Sequence, residues 1–194
     1  MNGTPVRVMV AARDVWEAAD LVEDRLRRRL IHLRDRKRTQ ARRTGIRPAH
    51  EWRHGDLPRR LVPHYPRPAA EREVVRRKTF ALEPVSAQEA AEQMELLDHD
   101  FYVFTDRRTG TDAVVYRRED GRIGLHAPPR MQRAHRAEGQ FVVDGPPPVL
   151  SELAARQRLD VGGEPFVFYL DADSGRGRVM YWRYDGHYGL ISAV

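Results

Sequence analysis

Two stretches decide the fold: SAQEAAEQMELLDHDFYVFTDRRTGTDAVVYRREDGRIGL, residues 86–125, and SELAARQRLDVGGEPFVFYLDADSGRGRVMYWRYDGHYGL, residues 151–190. Shifted by 65 residues they align without a gap and share 12 of 40 positions, several times the chance level. The chain therefore carries an internal repeat. Among the shared positions are Asp106/Asp171, Gly110/Gly175, Asp120/Asp185 and Gly121/Gly186. These are turn residues, so the two units are expected to share backbone geometry as well as composition.

Each unit reads as a strand, a helix and three strands. In the first, Lys78–Leu82 is extended and stopped by Pro84. Ser86 with Glu89 forms a capping box that opens a helix ending near Leu97, with Ala90, Met94 and Leu97 on its buried face. Phe101–Phe104 is apolar on both faces, which predicts a strand covered on both. Asp106–Gly110 and Asp120-Gly121 are hairpin turns that join it to Ala113–Arg118 and Ile123–His126. The matching pieces of the second unit are Phe141–Val143, Ser151–Leu159, Phe166–Asp171, Arg178–Tyr184 and Tyr188–Ile191. Ala154 stands where the second capping box needs Glu, and Gly162-Gly163 follow, which predicts that the second unit is the looser of the two.

Outward from the repeat, residues 128–139 read as a polar linker with three arginines. Upstream, Pro48, Pro58, Pro63, Pro66 and Pro68 break residues 45–73 into a linker that holds no long helix. Before it, Val6–Val10 is a candidate strand, and Asp14 caps a helix whose apolar stripe runs Val15, Ala18, Ala19, Val22, Leu26, Leu30 and Leu33. That helix is expected over about Val15 to Arg36. The domains expected are therefore a basic strand-helix segment at 1–44, the linker at 45–73, units at 74–127 and 140–194, and the second linker at 128–139.

The net charge of +6 is uneven: residues 1–73 hold 18 basic and 10 acidic side chains, and residues 74–194 hold 16 and 18. The excess sits at Arg25, Arg27, Arg28, Arg29, Arg34, Arg36, Lys37, Arg38, Arg42 and Arg43, with Asp35 the single acid between Arg25 and Arg43. No aromatic residue interleaves them, so the composition permits contact with phosphates and not base stacking. A polyanion, nucleic acid first, is the partner this front implies.

Several chemistries are excluded. Cysteine is absent, which removes disulfides, thiolate metal sites and cysteine nucleophiles. No apolar run approaches the ~18 residues of a membrane-spanning helix, so a cytoplasmic protein without a membrane partner is expected. His50-Glu51-Trp52-Arg53-His54 fits the pattern of a zinc protease, but Pro48 and Pro58 bracket it and no apolar stripe buries it. Neither a metal nor another cofactor is expected, and no enzyme. Phe101, Val103, Tyr116, Phe166, Phe168 and Tyr181, at strand spacing, are expected in the core or at a pairing interface.

The spacing of Lys78–Phe80, Pro84, Ala90, Met94, Leu97-x-His99-Asp100-Phe101, Phe104, Asp106, Tyr116-Arg117-Arg118, Asp120-Gly121 and Gly124-Leu125 resembles the C-terminal domain of long-form ribosome hibernation-promoting factors. The second unit resembles it more faintly. Val6–Leu33 resembles only the last strand and helix of that family's ribosome-binding domain, and the tandem units are similar to the dormancy-associated factors of actinobacteria. The resemblance implies a translation regulator that binds the small ribosomal subunit and its rRNA under stress, through the ten basic residues named above. It also implies that C-terminal domains pair. With two in one chain, a short linker sets an effective concentration of about millimolar, so pairing within the chain is expected, with a homodimer as the alternative. The expected architecture is α+β: a basic strand-helix segment, then two units of strand, helix and three-stranded antiparallel meander packed as an internal pseudo-dimer. The functional alternative is a dimerisation module of the same family without ribosome binding.

Overall fold

The computed structural model describes residues 6, 8, 10, 14–40, 65–82, 84–138 and 141–193. Its elements follow the repeat. Helix α1 spans Val15–Gln40, and a single 3-10 turn covers Ala69–Glu71. Strand β1 (Val74–Phe80) leads into the first unit: β2 (Pro84–Val85), α2 (Ala87–Leu96), β3 (Phe101–Asp106), β4 (Asp112–Arg117) and β5 (Ile123–His126). Helix α3 (Pro129–Glu138) and β6 (Val142–Val143) connect to the second: β7 (Val149–Leu150), α4 (Glu152–Gly162), β8 (Phe166–Asp171), β9 (Gly177–Trp182) and β10 (Tyr188–Ala193).

The strands form two five-stranded mixed sheets, ordered β1-β10-β9-β8-β7 and β2-β3-β4-β5-β6. Each unit has the expected strand, helix and meander, but its leading strand lies in the other unit's sheet. Strand β1 runs parallel to β10, with Arg77 opposite Leu190 and Phe80 opposite Ala193. Strand β6 runs parallel to β5, with Gly124 opposite Val142. Chain length explains the first crossing. The free slot beside β5 is four strand spacings from β2, about 19 Å. Phe80 and Pro84 are four residues apart, which spans at most ~14 Å. The facing sheet is only ~10 Å away, within reach.

Alternation along the strands then builds a four-layer sandwich of helix, sheet, sheet and helix. Tyr102 and Phe104 of β3 and Ala113 and Val115 of β4 point to α2, where they meet Ala87, Ala90, Ala91 and Met94. Val167 and Tyr169 of β8 and Met180 of β9 point to α4 and its Ala155 and Leu159. The residues between them, Phe101, Val103, Val114 and Tyr116 against Phe166, Phe168, Val179 and Tyr181, fill the space between the sheets. That is why these strands are apolar on both faces.

The local signals act as their chemistry requires. Ser86 Oγ accepts from Glu89 N at 3.2 Å and Glu89 Oε2 accepts from Ser86 N at 2.7 Å, a complete capping box. Ser151 accepts from Ala154 N at 3.2 Å with no reciprocal bond, and α4 instead closes on Gly163 at φ +67°. In the hairpins, Asp106 and Asp171 accept from the backbone of Thr109 and Ser174 at 3.0 and 3.1 Å.

The reading of 128–139 as a polar linker is corrected: it forms α3. Met131 and His135, four residues apart, are buried, and Met131 joins Ala127 and Phe141 in the core under α2. Gln132 Nε2 donates to the Ala127 carbonyl at 2.7 Å. Arg130 and Arg133, two of the three arginines that made the segment look like a linker, are exposed beside this buried stripe. The strand expected at Val6–Val10 is also corrected over its described residues, since Val6, Val8 and Val10 are half-buried but in no strand.

Candidate functional site

Two surfaces carry the functional expectations, the basic helix and the interface between the units. Helix α1 has 26 residues, about 39 Å of length. Asp14 Oδ1 accepts from Trp16 N and Glu17 N, both at 2.9 Å, and so caps its N-terminus. Ala18, Leu21 and Arg25 form its half-buried face. Arg25 Nη2 lies 3.9 Å from the carboxylate of Asp98, which is buried at the end of α2 in a left-handed conformation with φ +53°. Its charge is therefore directed at the body. Arg27 is exposed and pairs with Glu23 at 2.7 Å. The backbone of Arg28, Arg29, Arg34, Arg36, Lys37 and Arg38 is helical, and their side chains lie outside the described set. Arg42, Arg43 and the His50–His54 segment lie outside the described residues altogether.

Among the described residues of the apolar stripe of α1, Ala18 is half-buried and the larger side chains are exposed. Val15 and Trp16 are 80% and 83% exposed, and Val22, Leu26 and Leu30 are exposed too. Periodicity found the helix, but of its stripe only Ala18 lies on the half-buried face, beside Leu21 and Arg25.

The structure brings all six aromatic-strand residues into one cluster. Phe101 meets Phe166 at a ring-centroid separation of 4.8 Å and Tyr181 at 5.8 Å, and Tyr116 meets the edge of Phe166 at 5.5 Å. Val103, Phe166 and Phe168 are buried, with Phe101, Tyr116 and Tyr181 half-buried beside them. Phe101 and Phe166 are equivalent in the repeat, so their contact lies close to the pseudo-two-fold axis relating the units. Each tyrosine also lies across a glycine of the neighbouring strand: a Cβ at Gly124 or Gly189 would collide with the ring of Tyr116 or Tyr181.

Sequence reasoning missed the polar part of this interface. Asp112, at the start of β4, is 6% exposed. Its Oδ2 accepts from Arg176 Nε and from Gly177 N, both at 2.8 Å, and its Oδ1 accepts from Thr105 Oγ1 at 2.8 Å. Burial pushes the Asp112 carboxyl up, but Arg176, the Gly177 amide and Thr105 together hold it below the usual aspartate range. The signal was present in the repeat alignment, where Gly177 stands for Asp112 and Arg176 for Thr111.

Ion pairs fasten the exchanged strands. Arg77 of β1 makes a bidentate pair with Glu152 of α4, at 2.7 and 2.8 Å. Ahead of β1, Arg72 Nη1 lies 2.8 Å from Asp160, which also accepts from Tyr188 OH at 2.5 Å. After β6, Asp144 accepts from Tyr116 OH and lies 3.3 Å from Arg118. Burial, with Asp144 beside it, pushes the Tyr116 hydroxyl up to about 12.

Among the described residues, no group of three or more His, Asp or Glu side chains is placed to hold a metal. No helix among them is long and apolar enough to cross a membrane.

Residues 69–125 match the family described as Sigma 54 modulation/S30EA ribosomal protein C terminus. The matched span runs from the turn before β1 to β5. The Dormancy associated translation inhibitor of Mycobacterium tuberculosis, in strains CDC 1551 / Oshkosh and ATCC 25618 / H37Rv, is 40% identical over 132 residues, covering 63% of this chain and 48% of the relative. The chain thus spans about half the length of the curated relatives it matches. Residues 69–125 thus carry a domain of the Sigma 54 modulation/S30EA ribosomal protein C-terminus type, and the chain is similar over 132 residues to a protein named as a dormancy associated translation inhibitor.

Proposed function

We propose that this chain is a ribosome-associated translation regulator of the dormancy type, acting in the cytoplasm. In this reading α1 lies against rRNA of the small subunit and the two units stay paired to each other within the chain. The observation that carries it is the 40% identity to a protein named as a dormancy associated translation inhibitor. The basic helix supports the mode of contact. Arginines without interleaved aromatics suit phosphates, and the Arg27 side chain is exposed on the same element.

The test is co-sedimentation with purified small ribosomal subunits across a salt series. Replacing Arg27, Arg28, Arg34 and Arg36 together by Glu weakens binding and leaves the fold of the body intact. Each phosphate that the helix no longer touches makes the slope of log K against log salt shallower by ~0.7–0.9. Binding unchanged by the four substitutions removes α1 from the RNA-facing surface. No binding by the unaltered chain favours the family's dimerisation module without ribosome contact.

A further inference from the structure

The two faces that meet between the sheets are equivalent in the repeat but not alike. The first unit presents Val103 and Asp112 where the second presents Phe168 and Gly177. These differences compensate one another across the interface. The larger Phe168 ring sits beside the glycine, with its Cε2 3.0 Å from where a Gly177 Cβ would be. Asp112 fills the remaining space from the other sheet, its Cβ 2.6 Å from that same point. Its charge is met by Arg176 and by the Gly177 amide, each at 2.8 Å. The Arg176 guanidinium has no copy in the first unit's face, since Thr111 stands at its position.

A first unit seated on another first unit would put aspartate at the Gly177 position. Two Cβ atoms would then be 2.6 Å apart, where apolar contact needs ~4 Å. Two carboxylates would also share one buried site with no guanidinium between them, and like charges at that distance do not both ionise. A second unit paired with another second unit meets neither obstacle, but it leaves Arg176 without its carboxylate and sets Phe168 against Phe168.

We propose that these faces are a matched unlike pair: the first unit's face takes a face bearing Arg-Gly and refuses a copy of itself. Chains of this kind then do not join through their first units, and the contact available to that face is the second unit. This concerns the interface alone and stands whether or not α1 meets a ribosome.

Gly177→Asp in the full chain gives both faces the aspartate at the point of closest approach and so reproduces the Cβ collision and carboxylate crowding of the like-with-like interface, with Arg176 still beside it. Its thermal transition is expected about 10 °C below that of the unaltered chain, or absent. Adding Asp112→Gly to it removes the nearer colliding group, the Asp112 Cβ at 2.6 Å, and restores a single carboxylate, leaving the Phe168 ring edge at 3.0 Å to give by a few tenths of an ångström. The double variant D112G/G177D is therefore expected to recover at least half of that shift. Where G177D fails to fold, a soluble double variant with a cooperative transition is the supporting result. A G177D chain as stable as the original overturns the proposal, and so does a double variant no more stable than G177D.

Discussion

Asp112 shows how one residue decides an interface. Folding lowers its carboxyl below the ordinary range, so the folded chain favours the ionised form. The stabilisation is fully present above the unfolded value of about 3.9 and disappears as pH falls through the folded value. Acid unfolding followed by circular dichroism is expected to begin below about pH 4, and Asp112→Ala is expected to flatten that limb. At neutral pH the same substitution costs about 2 kcal/mol in urea unfolding, less than a fully buried pair because Arg176 keeps 40% of its side chain in solvent. Glycine at 124 and 189 is a second requirement at this scale. An added methyl strikes the ring of Tyr116 or Tyr181, so Gly124→Ala and Gly189→Ala each cost about 1–3 kcal/mol by overpacking, measured by the same denaturation.

At the scale of elements, the two equivalent helices differ in their caps. Ser86→Ala removes the hydroxyl from a reciprocal capping box and is expected to cost about 1 kcal/mol, while Ser151→Ala removes a single bond and costs about half that. Differential scanning calorimetry of the two variants reads the contrast. The elements were legible where composition and period agree. Phe101–Phe104 is apolar at every step, which fits a strand covered on both faces, and Asp120-Gly121 fixes the hairpin that follows β4. Helix α3 was not legible, because Met131 and His135 give only a thin stripe among arginines and Pro128-Pro129 reads as a break, although proline suits a first helical turn. On α1 the apolar spacing announced the helix, but the half-buried face is the one carrying Ala18, Leu21 and Arg25, with Arg25 3.9 Å from Asp98.

For the whole molecule, the repeat disclosed two units, but not that each gives its leading strand to the other. No local signal marks that exchange. It follows from the distance between Phe80 and Pro84 compared with the width of the sheet. Because β1 and β6 bind the two units reciprocally, the body is expected to unfold in one cooperative transition and not in two, with equal calorimetric and van't Hoff enthalpies. The same exchange, together with the aromatic cluster and the Asp112 contact, leaves the pairing surface of each unit occupied by the other. The direct test is the solution mass at micromolar concentration, by light scattering or sedimentation. A single species at 22.5 kDa that does not change with concentration is the predicted result. A stable species of twice that mass would show that the units pair between chains and would contradict the internally paired body.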